Sequence, residues 1–458
     1  MKNHPWSRRK LLKTLGAASL AGAGIPPIEN PAFGFSPAVE GITPKHTKPI
    51  SVIVIGAGSR GWGAYSSYGL KFPGELQVVG VAEPIPYRRE RIAQAFNIPQ
   101  ANQFETWEQV FERPKFADAL FVTTPDHLHY GPAMAGLSAG YHLLLEKVIA
   151  QSWRECNDIL DLTTKKNAIV AVCHVLRYNP YWRKLKEVVD SGFIGDIVSI
   201  QQLEPVEHIH MSHSFVRGNW GNTTKSNPMI LSKSCHDTDI LRWIIGKPCQ
   251  KVASFGSLKY FHSDYAPAGS TARCTGGCAV ERECAYSAKK LYLEQRIWLQ
   301  HLNLETVSPE TILRELNTGP YGRCVYRCDN DVVDHQITNF EFAGGITASF
   351  SMEAMSHYAG RRTNIFGTHG DLVGDEQAMT MTQFATGKQE KWDMSMTANY
   401  QAGHGGGDHG LVHDFVAAVR ANDPALLSST IEVSMASHFM GFQAEESRRK
   451  GTVAAVNM

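Results

Sequence analysis

"ISVIVIGAGSRG", residues 50–61, decides the fold. The first six residues are β-branched apart from Ser51 and predict a buried strand. Gly56, Gly58 and Gly61 then end the strand and open a helix, the context a dinucleotide-binding glycine loop requires. Gly56 permits the tight turn, Gly58 lets backbone approach a pyrophosphate, and Gly61 lets the helix pack closely. Ser59 and Arg60 stand at the helix N-terminus, where free amides and the helix dipole favour phosphate. A second apolar run, "LQVVGVAEP" (76–84), carries Glu83 near its end. A carboxylate there accepts hydrogen bonds from the adenosine ribose, which selects NAD. Arg88, beside Arg89 at the start of the next helical segment, leaves NADP as the alternative.

The same texture continues outward. "ADALFVTTPDHLHY" (117–130), "YHLLLEKV" (141–148) and "NAIVAVCHVLRYNP" (167–180) are apolar runs separated by helical segments. Alternating strands and helices predict a doubly wound parallel sheet, a Rossmann domain over residues 49–175. Beyond it, "IVSIQQLEP" (197–205) and "FEFAGGITASF" (340–350) read as longer strands with alternating faces. The second predicts a hairpin turning at Gly344-Gly345. Residues 176–458 therefore read as an α+β domain around a large, mostly antiparallel sheet.

The chain of 458 residues balances 45 basic against 44 acidic residues, a formal charge of +1. This balance points away from nucleic acid as a partner. The N-terminus is different. "SRRKLLKTLG" (7–16) precedes a short Ala/Gly-rich apolar stretch and resembles a twin-arginine export signal. Residues 1–48 are read as that signal plus linker. The expectation is a folded passage through the twin-arginine translocase to the periplasm or another extracytoplasmic space.

Three longer stretches, "GAGSRG", "VTTPDHLHYGPAMAGLSAGYHLLLEKVIA" (122–150) and "SCHDTDILRWIIG" (234–246), resemble the glucose–fructose oxidoreductase/inositol dehydrogenase (Gfo/Idh/MocA) superfamily. The resemblance covers nearly all of the chain after residue 49. It implies that Thr123, Thr124, Pro125, His127 and His129 line the nicotinamide side, with Glu146 beside the cofactor. It implies that Lys147 contacts the substrate hydroxyl and that Arg177 and Tyr178 face the pocket. Val148 stands where the family has a proline after that lysine. In "SKSCHDTD" (232–239), His236 and Asp239 match the family's second catalytic motif, and Ser232 replaces its first aspartate. Lys233 and Asp237 are the nearby charges expected to substitute for it. The family also implies a homo-dimer or homo-tetramer.

The chemistry follows from the residue types. Neutral His236 accepts a carbinol proton, Lys147 stabilises the developing alkoxide, and NAD accepts the hydride. "MSHSFVRGNW" (211–220) offers His213, Arg217 and Trp220 to a sugar, and "AGHGGGDHGLVHDF" (402–415) offers His404. Cys274, Cys278, Cys284 and Cys328 suit a structural zinc, with disulfides or reduced thiols as alternatives. Nine cysteines exclude complete internal pairing. The expected function is NAD(P)-dependent oxidation of a sugar or glycoside with a tightly held cofactor. Alternatives are a redox-neutral glycosidase working through a transient keto-sugar, and a non-catalytic sugar-binding protein that retains the cofactor.

Overall fold

A computed structural model describes residues 48–396 and 403–457. The export-signal segment lies outside them. Six strands form one sheet: β1 (Ile50–Ile55), β2 (Leu76–Ala82), β3 (Gln103–Phe104), β4 (Ala119–Val122), β5 (His142–Leu145) and β6 (Val170–Val172). Their order is β3-β2-β1-β4-β5-β6, and every pair is parallel. β4 and β6 are buried throughout and β1 and β5 nearly so, as expected where helices cover both faces. The sheet reverses direction of strand order between β1 and β4, the place where such folds bind ligands.

The second sheet has nine strands: β7 (Ile197–Pro205), β8 (Cys249–Ser257), β9 (His335–Phe342), β10 (Ile346–Glu353), β11 (Arg362–Gly367), β12 (Gly370–Gly374), β13 (Ala378–Gln383), β14 (Gln389–Asp393) and β15 (Ala454–Ala455). The order is β14-β13-β12-β11-β7-β10-β9-β8-β15. All pairings are antiparallel except β7–β10. β9 and β10 join through the three-residue loop 343–345, in which Gly344 and Gly345 both have positive φ (86° and 77°), a conformation that favours glycine.

The chain after β14 returns to the first sheet. Leu411, Val412, Phe415 and Val416 of the helix Gly407–Ala421 pack into the core beneath β1 and β4. The helix Ile431–Lys450 joins both cores: Ile431 and Met435 meet the Rossmann side, and Met440 and Ala444 the large sheet. The site between the sheets is thus framed from both sides by late sequence. Among the described residues no helix is long and apolar enough to cross a membrane.

Candidate active site

At the end of β1 the chain turns at Gly56, with φ of 91°. A side chain at Gly56 would stand 2.7 Å from the Thr123 carbonyl oxygen, and one at Gly61 2.0 Å from the Gly56 carbonyl oxygen. At Gly58 the nearest atom would be Arg88 Nη1, 3.9 Å away. Internal packing therefore dictates two glycines, while the third faces open space, a cradle suited to a pyrophosphate. Thr123 Oγ1 donates to the Gly56 carbonyl at 2.6 Å and ties the loop to the end of β4. Glu83 is buried and accepts from the Ala57 amide at 2.7 Å and the Ile85 amide at 3.0 Å, so it braces the loop from β2. Ser59 is exposed at the start of a π-helical segment, Ser59–Ser66.

Arg60 corrects the sequence reading. Its guanidinium turns away from the glycine cradle, to Glu146 (Nε–Oε1 2.7 Å) and Asp408 (Nη2–Oδ1 2.9 Å). Tyr65 donates to the same Glu146 oxygen at 2.6 Å. His404 Nδ1 lies 3.0 Å from Asp408 Oδ1. Burial pushes the Asp408 carboxyl up, but His404 and Arg60 overcome it and hold it well below the usual carboxylate range. Glu146 is likewise held low against burial by Arg60 and then Lys147. Arg60 and Glu146 are thus an internal clasp between the glycine loop and β5, where ligand contacts were expected.

The strand ends after β4 and β5 lie side by side. His129, expected to line the cofactor, is buried; its Nδ1 is 2.6 Å from the Val148 carbonyl and its Nε2 2.9 Å from that of Thr124. It links the two strand ends and positions them. Pro125 and His127 are exposed, and Thr124 Oγ1 is buried without a partner. The Lys147–Val148 peptide bond is cis. Lys147 Nζ donates to the Ser232 carbonyl at 2.7 Å and lies 5.7 Å from the Trp220 ring centre. Trp220 Nε1 donates to Asp126 Oδ1 at 3.1 Å, and Ser226 Oγ to Asp126 Oδ2 at 2.6 Å. Asp126 was quoted in the sequence motif but assigned no role there.

His236 opens the helix Cys235–Ile245, one turn beyond Ser232. Its buried Nδ1 has no partner, and Ser232 Oγ and Ser234 Oγ are also buried without one. Burial, then the Lys147 charge, holds His236 well below its ordinary value and therefore neutral. Two further histidines stand behind it. His174 lies 6.1 Å from His236 and 5.3 Å from His438 between ring centres. Neither nitrogen of His174 has a hydrogen-bond partner, although Asp239 Oδ2 lies 3.8 Å from Nδ1, and burial pushes its pKa down to about 4. His404 completes the cleft wall, 6.5 Å from the His236 ring.

Other expected substrate contacts are turned elsewhere. Arg177 and Asp239 form a buried two-pronged ion pair, 2.7 and 2.8 Å, because neither charge can stay unpaired away from water. Tyr178 is buried, with Oη 2.9 Å from Ser429 Oγ. Lys233 pairs with buried Glu204 at 3.0 Å, which Arg361 also holds at 2.9 Å. His213 packs in an aromatic cluster, with Nδ1 2.7 Å from Tyr292 Oη and its ring stacked 4.5 Å from Tyr321.

Arg217 is buried in the cysteine cavity, donating to the Arg323 carbonyl at 2.7 Å and to Cys274 Sγ at 3.7 Å. Cys274, Cys278, Cys284 and Cys324 line that cavity. All nine cysteines are unpaired, and the described residues hold no group of three or more Cys, His, Asp or Glu arranged for a metal. Cys328 turns its thiol to the Cys324 carbonyl at 3.3 Å. The expectation of a structural zinc is corrected on these grounds.

Comparison with known proteins matches this architecture. Residues 50–174 match the model described as "Oxidoreductase family, NAD-binding Rossmann fold", and residues 182–373 match "GFO/IDH/MocA C-terminal domain". The protein YteT of Bacillus subtilis (strain 168), an oxidoreductase by name, is 22% identical over 361 residues, covering 75% of this chain and 83% of that one. Inositol 2-dehydrogenase 1 of Saccharopolyspora erythraea is 28% identical over 136 residues, 30% of this chain and 37% of that one. Among solved structures, levoglucosan dehydrogenase in complex with NADH and levoglucosan aligns with a TM-score of 0.64 at 18% identity, over 90% of this chain and 100% of that one. Both domain models of one family are matched in order, over more than half of the sequence, and the chain belongs to the Gfo/Idh/MocA oxidoreductases.

Proposed function

We propose that the protein is an NAD-dependent oxidoreductase acting on a carbinol of a sugar or glycoside, with a tightly held cofactor. One observation carries this reading. At the end of β4 and at the start of the helix bearing His236, the atoms Thr124 Oγ1, Ser232 Oγ, Ser234 Oγ and His236 Nδ1 are buried without hydrogen-bond partners. Buried polar atoms are normally hydrogen-bonded, so a ligand rich in hydroxyls, each both donor and acceptor, fits the cleft. The open cradle at Gly58, with Glu83 and Arg88 at its sides, fits a dinucleotide. When bound there, NAD supplies the hydride acceptor.

Lys147 spends one N–H on the Ser232 carbonyl and keeps two for the reacting oxygen. Its charge stabilises the alkoxide as the proton leaves. His236, held neutral, takes that proton at its free Nδ1. Trp220, beside Lys147, offers a ring face to the sugar. The test is direct. Protein purified without added cofactor and then denatured should release about one NAD per chain, and some member of a sugar panel should reduce it. A protein that binds a sugar yet never forms NADH would be a binding protein instead.

The segment 7–16 favours a second form of the same chemistry. An enzyme exported folded carries its cofactor with it and has no soluble pool for exchange. Oxidation and return of the hydride within one cycle then suit it better than net oxidation. Aglycone release from an aryl glycoside without accumulation of NADH would select that redox-neutral form. The outer face of the nine-stranded sheet exposes Val198, Phe255, Ile337 and Val373, which supports pairing with a second copy of the chain.

A further inference from the structure

β8 and β9 are hydrogen-bonded neighbours, yet residues 258–334 separate them. Hairpin loops usually take a few residues. This connection builds a lobe with its own apolar cluster, including Leu291, Tyr292, Ile312 and Leu316. The lobe reaches across to the Rossmann domain. Asn303 Oδ1 accepts a hydrogen bond from Tyr87 Oη at 2.9 Å. Tyr87 Oη also accepts from Arg88 Nε at 3.2 Å, and Arg88 Nη1 is the atom nearest the open side of Gly58. Tyr321 of the lobe lies within reach of the Arg88 charge and stacks on His213. Tyr87 and Arg88 lie in the first turn of the helix Pro86–Phe96, four and five residues after Glu83. A continuous rim therefore runs from the glycine cradle through Arg88 and Tyr87 to Asn303.

We propose that residues 258–334 form a retaining clamp over the adenosine and pyrophosphate half of the dinucleotide site, with the Tyr87–Asn303 hydrogen bond as its latch. This rests on the dinucleotide reading above and names what makes the cofactor slow to leave. A ligand held by a glycine loop alone departs through the open face of the loop. Here the lobe is fastened along that face, so the latch opens before departure. Tyr87 also fixes Arg88, which keeps a cation aimed at the cradle where phosphate charge belongs.

The test uses the full-length protein loaded with labelled NAD and chased with unlabelled NAD. Asn303 is exposed and Tyr87→Phe removes one oxygen, so both variants should fold; melting of the cofactor-free proteins checks this. A hydrogen bond contributes about 1 kcal/mol net, so Asn303→Ala and Tyr87→Phe should each release label roughly five- to tenfold faster. The double variant should release no faster than Tyr87→Phe alone, because Asn303→Ala removes a bond that Tyr87→Phe has already lost. Release at the wild-type rate by both folded single variants overturns the clamp. Failure of the wild-type protein to bind NAD overturns the dinucleotide reading instead.

Discussion

The Lys147 charge, after burial, helps set the protonation state of His236. Removing the ammonium should cost the reaction an alkoxide stabiliser, and Lys147→Ala should lower kcat by about 10²- to 10³-fold. The NAD content of the same preparation separates lost chemistry from lost cofactor. The second effect has a definite sign. Burial and then the Lys147 charge hold His236 below its ordinary value. Lys147→Met removes one of those causes, so the His236 ring should titrate at higher pH, read by NMR on the variant and the parent. No upward movement would mean the two groups do not sense each other. Motif position pointed to both residues, and the fold sets Lys147 against the Ser232 carbonyl, one turn before His236. Motif position was not enough for Arg177 and Asp239, which occupy motif positions as well. Only the folded core shows that these two satisfy each other.

Elements add constraints that single residues lack. Gly58 and Gly61 look equivalent in the motif but differ in what surrounds them. A side chain at Gly61 meets backbone at 2.0 Å, so Gly61→Ala should lower both melting temperature and NAD binding. Gly58→Ala meets nothing closer than 3.9 Å and should melt near the parent temperature while binding NAD at least tenfold more weakly. Thermal melts of cofactor-free protein and NAD titrations check the pair; equal melting temperatures would refute the distinction. The helix bearing Asp239 gives a parallel case. Arg177→Ala strands a buried carboxylate and should cost about 3–5 kcal/mol in urea unfolding. The strands were legible because parallel sheets bury continuous apolar runs, as in "ISVIVI". The parallel pairing of β7 with β10 was not, because side-chain alternation does not name a strand's neighbour. The lobe at 258–334 was also hidden: its cysteines suggested a metal and drew the reading away from its contact with Tyr87.

Across the whole molecule, four histidines are displaced the same way and make stability depend on pH. Burial lowers His174 to about 4, His213 and His438 to about 3, and His210 to about 2. An unfolded histidine titrates near ~6.5. Between that value and the folded values the unfolded chain binds more protons, so stability falls as pH falls through this window. Asp239, Glu146 and Asp408 are held low by their cationic partners and add a further loss once pH drops below about 4, where their unfolded forms take up protons. Each unit of displacement corresponds to ~1.4 kcal/mol at full expression. No single histidine is needed for the effect; four depressed groups act together. Urea unfolding should therefore give a steady midpoint above about pH 7 and a midpoint that declines continuously toward about pH 5. A midpoint that stays level across that interval would show that these rings are not held neutral in the folded protein.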